Sequence, residues 1–296
     1  MDFKELEYFL AIAKCGNLTH AARELYVSQP TLSKYLQKLE EELGLPLFKR
    51  NNHKLELTYA GQRYYAHVEL LLSQKREMDA EMTDILRLDK GVLHVGIPPF
   101  RCSYSLPKVL PIFHKKFPQV QFQIIESSSA LLDQKLLSGE IDLAFYMSFE
   151  RINGLSYELM HNDRMYVILS KDHPLVLKAE KKHEFSLEWL EGQTLLLQNK
   201  NQRQGQYILQ ELNKRHIQSC KILESSNIRA SAALAANGYG IGFLSGELLN
   251  HLDFDVSYNA YPLHDCTLNI ESVAAWRTGD YLPHYAKEFI KLMKEV

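Results

Sequence analysis

A chain of 296 residues is long enough for about two domains with proper cores. Hydrophobic content of 46% and charged content of 24% belong to an ordinary globular protein and exclude disordered, fibrous and membrane-embedded classes. A formal net charge of −2, with 13 Lys+Arg against 14 Asp+Glu in the first 90 residues, excludes binding to nucleic acid by bulk charge, so any such contact must come from where charge is placed.

No apolar run of about 18 residues is available to span a membrane. Lys4, Glu5 and Glu7 interrupt the opening segment before any secretory apolar stretch, so a cytoplasmic location is expected. Cys15, Cys102, Cys220 and Cys266 are scattered without metal-type or paired spacing, which predicts reduced thiols and neither metal nor cofactor.

In chain order, Leu6, Phe9, Leu10 and Ala13 form the apolar stripe of a first helix ending near Gly16. Thr19 offers a cap for a short helix through Ala21, Ala22 and Leu25, and Tyr26-Val27 is a tight connection. Ser28 caps the next helix and Pro30 falls in its first turn, where a missing N–H does no harm. Leu32, Leu36, Leu39 and Leu43 line its apolar face, and Gln29, Ser33, Lys34, Gln37 and Lys38 its polar face. Amides, hydroxyls and cations are groups that reach base edges and phosphates, though such a face can also be merely solvated. The neighbours decide: two helices joined by a short turn make a helix-turn-helix. Leu47 to Arg50 and Lys54 to Leu57, around Asn51-Asn52-His53, predict a basic β-hairpin wing.

Thr58 can cap a long helix reaching about Leu88. Tyr64, Val68, Leu71, Met78, Met82 and Ile85, with Lys75 in the remaining slot, step as a heptad seam, which predicts self-association of this helix with its twin. From Gly91 the pattern changes. Strands at Val92–Ile97, Val120–Ile125 and Ile141–Tyr146 alternate with helices at Leu106–Phe117 and Leu131–Leu137, implying a parallel sheet covered by helices. Strands at Met165–Leu169, Thr194–Leu197 and Ile241–Leu244, with helices at Tyr207–Arg215 and Ile228–Ala236, predict a second α/β set and a cleft between the two.

The residues resemble the LysR-type transcriptional regulators over essentially the full length. The specific matches are Leu6-Glu7-Tyr8-Phe9, Asn17-Leu18-Thr19-His20-Ala21-Ala22, Val27-Ser28-Gln29-Pro30-Thr31-Leu32-Ser33, Leu39-Glu40-Glu41-Glu42-Leu43-Gly44, Leu47-Phe48-Lys49-Arg50 and Leu57-Thr58-Tyr59-Ala60-Gly61. Weaker matches follow at Leu106-Pro107, Phe117-Pro118, Gly139-Glu140-Ile141-Asp142, His173-Pro174-Leu175 and Gly238-Tyr239-Gly240-Ile241. The resemblance implies a multidomain chain: an N-terminal all-α winged helix-turn-helix at 1–58, a dimerising linker helix at 59–90, and an α/β effector domain of periplasmic-binding-protein type at 91–296. Lobe one would comprise 91–161 and 267–296, and lobe two 162–266. It further implies a non-enzymatic regulator, promoter DNA and a small-molecule effector as partners, assembly as a homodimer or homotetramer, and RNA polymerase as a further candidate partner.

Ser28, Gln29, Pro30, Thr31, Ser33 and Lys34 are expected at the major groove, where Gln pairs with adenine and Lys donates to guanine or phosphate. Lys38, Lys49, Arg50 and Lys54 are expected on phosphates. By the resemblance, the effector cleft is lined by a loop holding Phe100, Arg101, Cys102 and Ser103, by Ser128 and Ser129, by Tyr146, and from lobe two by Gln198, Asn199, Lys200, Ser226 and Asn227. Ser129 is an anion anchor at a helix N-terminus or simply that helix's cap. Arg101 is either the cation for a carboxylate ligand or an ordinary exposed loop arginine, and Phe100, where relatives often carry Ser or Thr, suggests an apolar part to the ligand. Ser245 also departs from the family pattern, standing where Pro is usual.

Rival readings start from the same residues. Cys102 beside Arg101 could be a redox sensor within the same architecture. A solute-binding protein would leave the first 60 residues without a purpose, and an α/β enzyme lacks a Ser–His–Asp or HExxH constellation. Gly238, Gly240 and Gly242 follow a helix and lead into a strand, the reverse of a dinucleotide loop.

Overall fold

A computed structural model of the chain describes residues 2–51, 54–86, 89–199, 202–218, 221–264 and 270–296. It divides into two compact units, one of Met1–Leu88 with the short segments Ser138–Glu140 and Tyr281–Pro283, the other of Asp89–Leu137, Ile141–Asp280 and His284–Val296.

In the first unit, α1 spans Phe3–Cys15 behind a capping box, with Glu5 returning a bond to the Asp2 N–H at 3.1 Å. Helix α2 spans Leu18–Glu24 and is capped by Asn17, whose Oδ1 accepts from the N–H groups of Thr19 at 2.8 Å and His20 at 3.2 Å. The expected cap, Thr19, already lies inside the helix, so its backbone is a donor to the cap. Ser28 caps α3, Gln29–Leu43, accepting from the Thr31 N–H at 3.3 Å, and Pro30 sits in the first turn.

Leu32, Leu36 and Leu39 close on Leu6, Phe9 and Ile12 of α1 and on Ala21 and Ala22 of α2. Leu43 is 40% exposed, because the helix outruns that core. Strands β1, Phe48–Asn51, and β2, Lys54–Leu57, pair antiparallel with Phe48 opposite Leu57. The expected wing tip at Asn52-His53 lies outside the described residues. The Glu40 carboxylate holds β1 to α3 through the N–H groups of Leu47 and Phe48, at 2.6 and 3.0 Å.

Helix α4, Tyr59–Ile85, is capped by Thr58 through the Gly61 N–H at 3.0 Å. The heptad seam divides along it. Val68 is 1% exposed inside the unit's own core, and the Tyr64 ring packs edge-on against Phe9 at 4.8 Å. Those two positions therefore serve the winged unit, since α1 covers the half of the seam nearest to it. Leu71, Met78, Met82 and Ile85 stay 42–67% exposed.

The second unit begins with β3, Gly91–Ile97, and α5, Pro99–Lys116. Then come β4 at Val120–Glu126, α6 at Ser129–Ser138, β5 at Leu143–Ser148 and β6 at Leu155–Asp163. Strand β7, Met165–Ser170, opens the second lobe, followed by α7 at Val176–Lys182, a 3₁₀ turn at Leu187–Leu190 and β8 at Thr194–Gln198. Next are α8 at Arg203–Lys214, β9 at Lys221–Ser225, α9 at Ile228–Ala236 and β10 at Ile241–Ser245. The last elements are α10 at Gly246–Leu249, capped by the Ser245 hydroxyl, β11 at Tyr258–Pro262, β12 at Ile270–Arg277 and α11 at His284–Lys294.

The first sheet runs β4-β3-β5-β12-β6 and the second β11-β7-β10-β8-β9. Both are mixed, where a parallel sheet was expected for the first. In the first, β3 pairs parallel with β4 and β5, while β12 runs antiparallel to β5 and β6. In the second, β8 is parallel to β9 and β10, and β7 is antiparallel to β10 and β11. The antiparallel members are those where the chain changes lobe instead of crossing over through a helix. Strand β6 holds the first sheet to Asp163, past the boundary expected at 161, and β12 and α11 return the chain to that lobe.

Candidate DNA interface and ligand cavity

On α3 every residue expected at the groove is exposed: Ser28, Gln29, Pro30, Thr31, Ser33 and Lys34. Amphipathic spacing puts them opposite the buried leucines. The Ser28 and Thr31 hydroxyls share a bond of 2.7 Å, and Gln37 is turned aside to Glu41 at 2.8 Å. Of the expected phosphate contacts, Lys38 lies 3.6 Å from Glu42 and Lys49 3.6 Å from Glu56, both in exposed pairs that exchange readily for another anion. Lys34, Arg50 and Lys54 have no ion pair among the described residues.

A cavity of about 610 Å³ lies between the lobes of the second unit. Its walls are Pro98, Pro99, Phe100 and Tyr104 of the first lobe, with Met147 and Phe149, and Met165, Ile228 and Leu248 of the second. Of the residues expected there, Phe100, Arg101, Ser103, Ser128, Ser129, Tyr146, Gln198, Ser226 and Asn227 line it. Cys102 and Asn199 do not, and Lys200 lies outside the described residues.

The expected loop at Phe100–Ser103 is instead the first turn of α5, whose start Pro107 and Pro111 conceal in the sequence. Helical geometry turns Arg101 inward to 5% exposure and directs Cys102 elsewhere. Burial and the nearby Glu126 carboxylate push the Cys102 thiol up to about 11, so Arg101 does not make it a thiolate.

Arg101 lies 3.4 Å from Glu247 of the second lobe, which also accepts from the Tyr104 hydroxyl. The Arg101 Nε and Nη1 are buried with no hydrogen-bond partner among the described residues. Across the cavity, Arg203 of the second lobe pairs with Asp133 of the first, which also accepts from the buried Tyr146 hydroxyl. Burial pushes the Asp133 carboxyl up against the pull of Tyr146 and Arg203. Arg203 likewise retains an unpartnered buried Nη1.

Ser128, not Ser129, precedes α6: its carbonyl accepts the Leu132 N–H at 2.9 Å while its Oγ is buried without a partner. Asn227 caps α9 through the Ala230 N–H at 3.1 Å. His161, Asp163 and Glu247 bring possible ligand atoms within 4.8 Å of one another. The Asp163 oxygens already accept from the N–H groups of Arg164 and Glu247, and Glu247 faces Arg101, so the group reads as an interlobe network.

Sequence reasoning missed Arg203, Tyr104, Phe149, Gln202 and Glu247. It placed the start of α8 at Tyr207 because Gln202–Gln206 is polar throughout. The signal there was Gly205: a Cβ would stand 2.0 Å from the Gln198 carbonyl oxygen, and that close approach seats the start of α8 against the end of β8.

The comparisons agree with this architecture. Residues 3–62 match the bacterial regulatory helix-turn-helix protein, lysR family, and residues 87–296 the LysR substrate binding domain. The uncharacterized HTH-type transcriptional regulator YwbI of Bacillus subtilis is 30% identical over 99% of this chain and 96% of its own length. The Hca operon transcriptional activator HcaR of Escherichia coli is 26% identical over 100% and 98%. Among solved structures, full-length CbnR complexed with its target DNA superposes with a TM-score of 0.64 at 21% identity, covering 100% of this chain and 99% of that one. A full-length OxyR variant from Pseudomonas aeruginosa reaches a TM-score of 0.70 at 24% identity, covering 100% and 94%. No helix among the described residues is long and apolar enough to cross a membrane. With both parts matched in this order, the chain belongs to the LysR family of DNA-binding transcriptional regulators and carries that family's effector-binding domain.

Proposed function

We propose that the chain reads promoter DNA with the exposed face of α3 and the wing, under control of a small carboxylate with an apolar part bound between the two lobes. The observation that carries the ligand class is Arg101, buried on the cavity wall with two donor nitrogens unpartnered among the described residues. A buried donor left unmade costs about 1–3 kcal/mol, more when charged, and a ligand carboxylate removes that cost. The Ser128 Oγ at the N-terminus of α6 adds a second donor where the helix dipole favours negative charge. Phe100, Met147 and Phe149 supply apolar wall for the rest of the molecule.

A ligand touching both lobes favours the closed arrangement by its differential affinity, and closure alters the spacing of paired DNA-binding units. Leu71, Met78, Met82 and Ile85 are the apolar positions on α4 left for pairing with a second copy. A thiol switch at Cys102 is the rival control. The raised thiol and its Glu126 neighbour oppose it, because the thiolate is the reactive form.

The test is a thermal-shift screen of the full chain against small aliphatic carboxylates, aromatic acids and amino acids. Acids with an apolar body should raise the midpoint of the wild type in a concentration-dependent way. The shift should shrink in Arg101→Gln and in Ser128→Ala, the second of which leaves every ion pair intact. Equal shifts in all three proteins would sink the assignment of these donors, and stabilisation by uncharged analogues alone would sink the carboxylate.

A further inference from the structure

Three helices of the DNA-binding unit end on a residue in the left-handed region. After α1 it is Gly16 at φ 58°, and after α3 it is Gly44 at φ 69°. After α2 it is Tyr26, at φ 54°. The backbone there closes the helix as it does after α3, with the Tyr26 N–H bonded to the Arg23 carbonyl at 3.2 Å and the Val27 N–H to that of Ala22 at 3.0 Å. Glycine adopts this conformation freely, whereas a bulky residue is strained in it.

The tyrosine does not offset that strain within the fold. Its side chain is 97% exposed, and it makes no ring contact, hydrogen bond or ion pair among the described residues. Val27, the next residue, packs on the core and completes the turn without it. A strained position held by a side chain that stabilises nothing internal points to a role outside the fold. Tyr26 stands two residues before the Ser28 cap, separated only by the half-buried Val27 from the exposed run Ser28, Gln29, Pro30 and Thr31. Along the rim of a groove entered by that run, DNA presents phosphate oxygens, which are acceptors only.

We propose that the Tyr26 hydroxyl donates to a backbone phosphate oxygen beside the groove entered by α3, a contact that rests on the placement of α3 given above. It positions α3 without reading sequence. Being neutral, it releases no counterion and so adds affinity without adding salt dependence, unlike a lysine or arginine contact.

The test uses the full chain, a duplex that it enriches from a random-sequence pool, and the same duplex scrambled. Tyr26→Phe should weaken both by about tenfold, the size of one lost hydrogen bond, with an unchanged salt slope. Tyr26→Gly should weaken both at least as much while its thermal midpoint stays at or above that of the wild type, because strain is relieved. Wild-type binding by Tyr26→Phe overturns the contact, and so does a loss confined to the enriched duplex. A lower midpoint in Tyr26→Gly overturns the argument from strain. Retained discrimination in Gln29→Ala overturns the placement of α3 and this contact with it. Lost discrimination there, alongside unchanged Tyr26→Phe binding, overturns the contact alone.

Discussion

The DNA-binding unit and the effector unit place functional side chains in opposite ways. On α3 the residues proposed to face the groove are exposed, close in sequence and mostly bonded to nothing beyond their own turn. Around the cavity Arg101, Asp133, Tyr146 and Arg203 are almost wholly buried, come from four different elements, and are tied to partners on other elements, the two arginines across the lobes. The difference teaches where function and stability separate. A surface reader can change its specificity residues with little effect on the fold, whereas the cavity's polar groups also hold the lobes together.

The sharpest way to break that contrast is to remove one buried partner. Asp133→Ala leaves the Arg203 guanidinium and the Tyr146 hydroxyl without their shared acceptor, and should destabilise the effector unit by roughly 3–5 kcal/mol. Both tryptophans, Trp189 and Trp276, lie in that unit, so urea unfolding followed by their fluorescence reports it directly. Lys49→Ala, which removes an exposed pair from the wing, should leave the thermal midpoint unchanged. Comparable losses would erase the distinction.

A smaller effect sharpens it within the DNA unit. Gln29→Ala should lose roughly 1–3 kcal/mol of discrimination between the enriched and scrambled duplexes without loss of stability. Arg50→Ala should weaken both duplexes alike and reduce the slope of log affinity against log salt by about 1. If both variants lose discrimination equally, positioning and reading are not divided between wing and helix. The smallest effect concerns Cys102. With its thiol raised to about 11, the proton stays on sulfur through neutral pH and thiolate appears only as the pH climbs toward that value. Iodoacetamide should therefore label wild type and Cys102→Ser equally at pH 8, with an excess in the wild type emerging above pH 10. An excess already present at pH 7 would restore the redox reading.

How much was legible follows the same division. The order of the first three helices, the Ser28 cap and the wing strands came from local chemistry, since caps, turns and amphipathic spacing act within a few residues. The cap of α2 was assigned to Thr19 and is Asn17 instead; both side chains can cap, and only the backbone path says which one precedes the helix. The heptad on α4 was legible as a pattern, but a pattern cannot say that α1 would cover Tyr64 and Val68. In the effector unit Pro107 and Pro111 hid the first turn of α5, so Arg101 was taken for a loop cation. Strands β6 and β12 were missed because their pairing is long-range and antiparallel, and Arg203 was missed because it meets Asp133, 70 residues away in the chain, only after folding.

The sequence by itself determined the reading end of this protein: helices, caps and an exposed donor-rich face are set by neighbours three or four residues apart. Tertiary structure alone decided the sensing end. Whether a polar side chain is buried, which carboxylate stands beside it and which of its N–H groups is left unpartnered depend on contacts between segments scores of residues apart, and desolvation acts only once those contacts have closed.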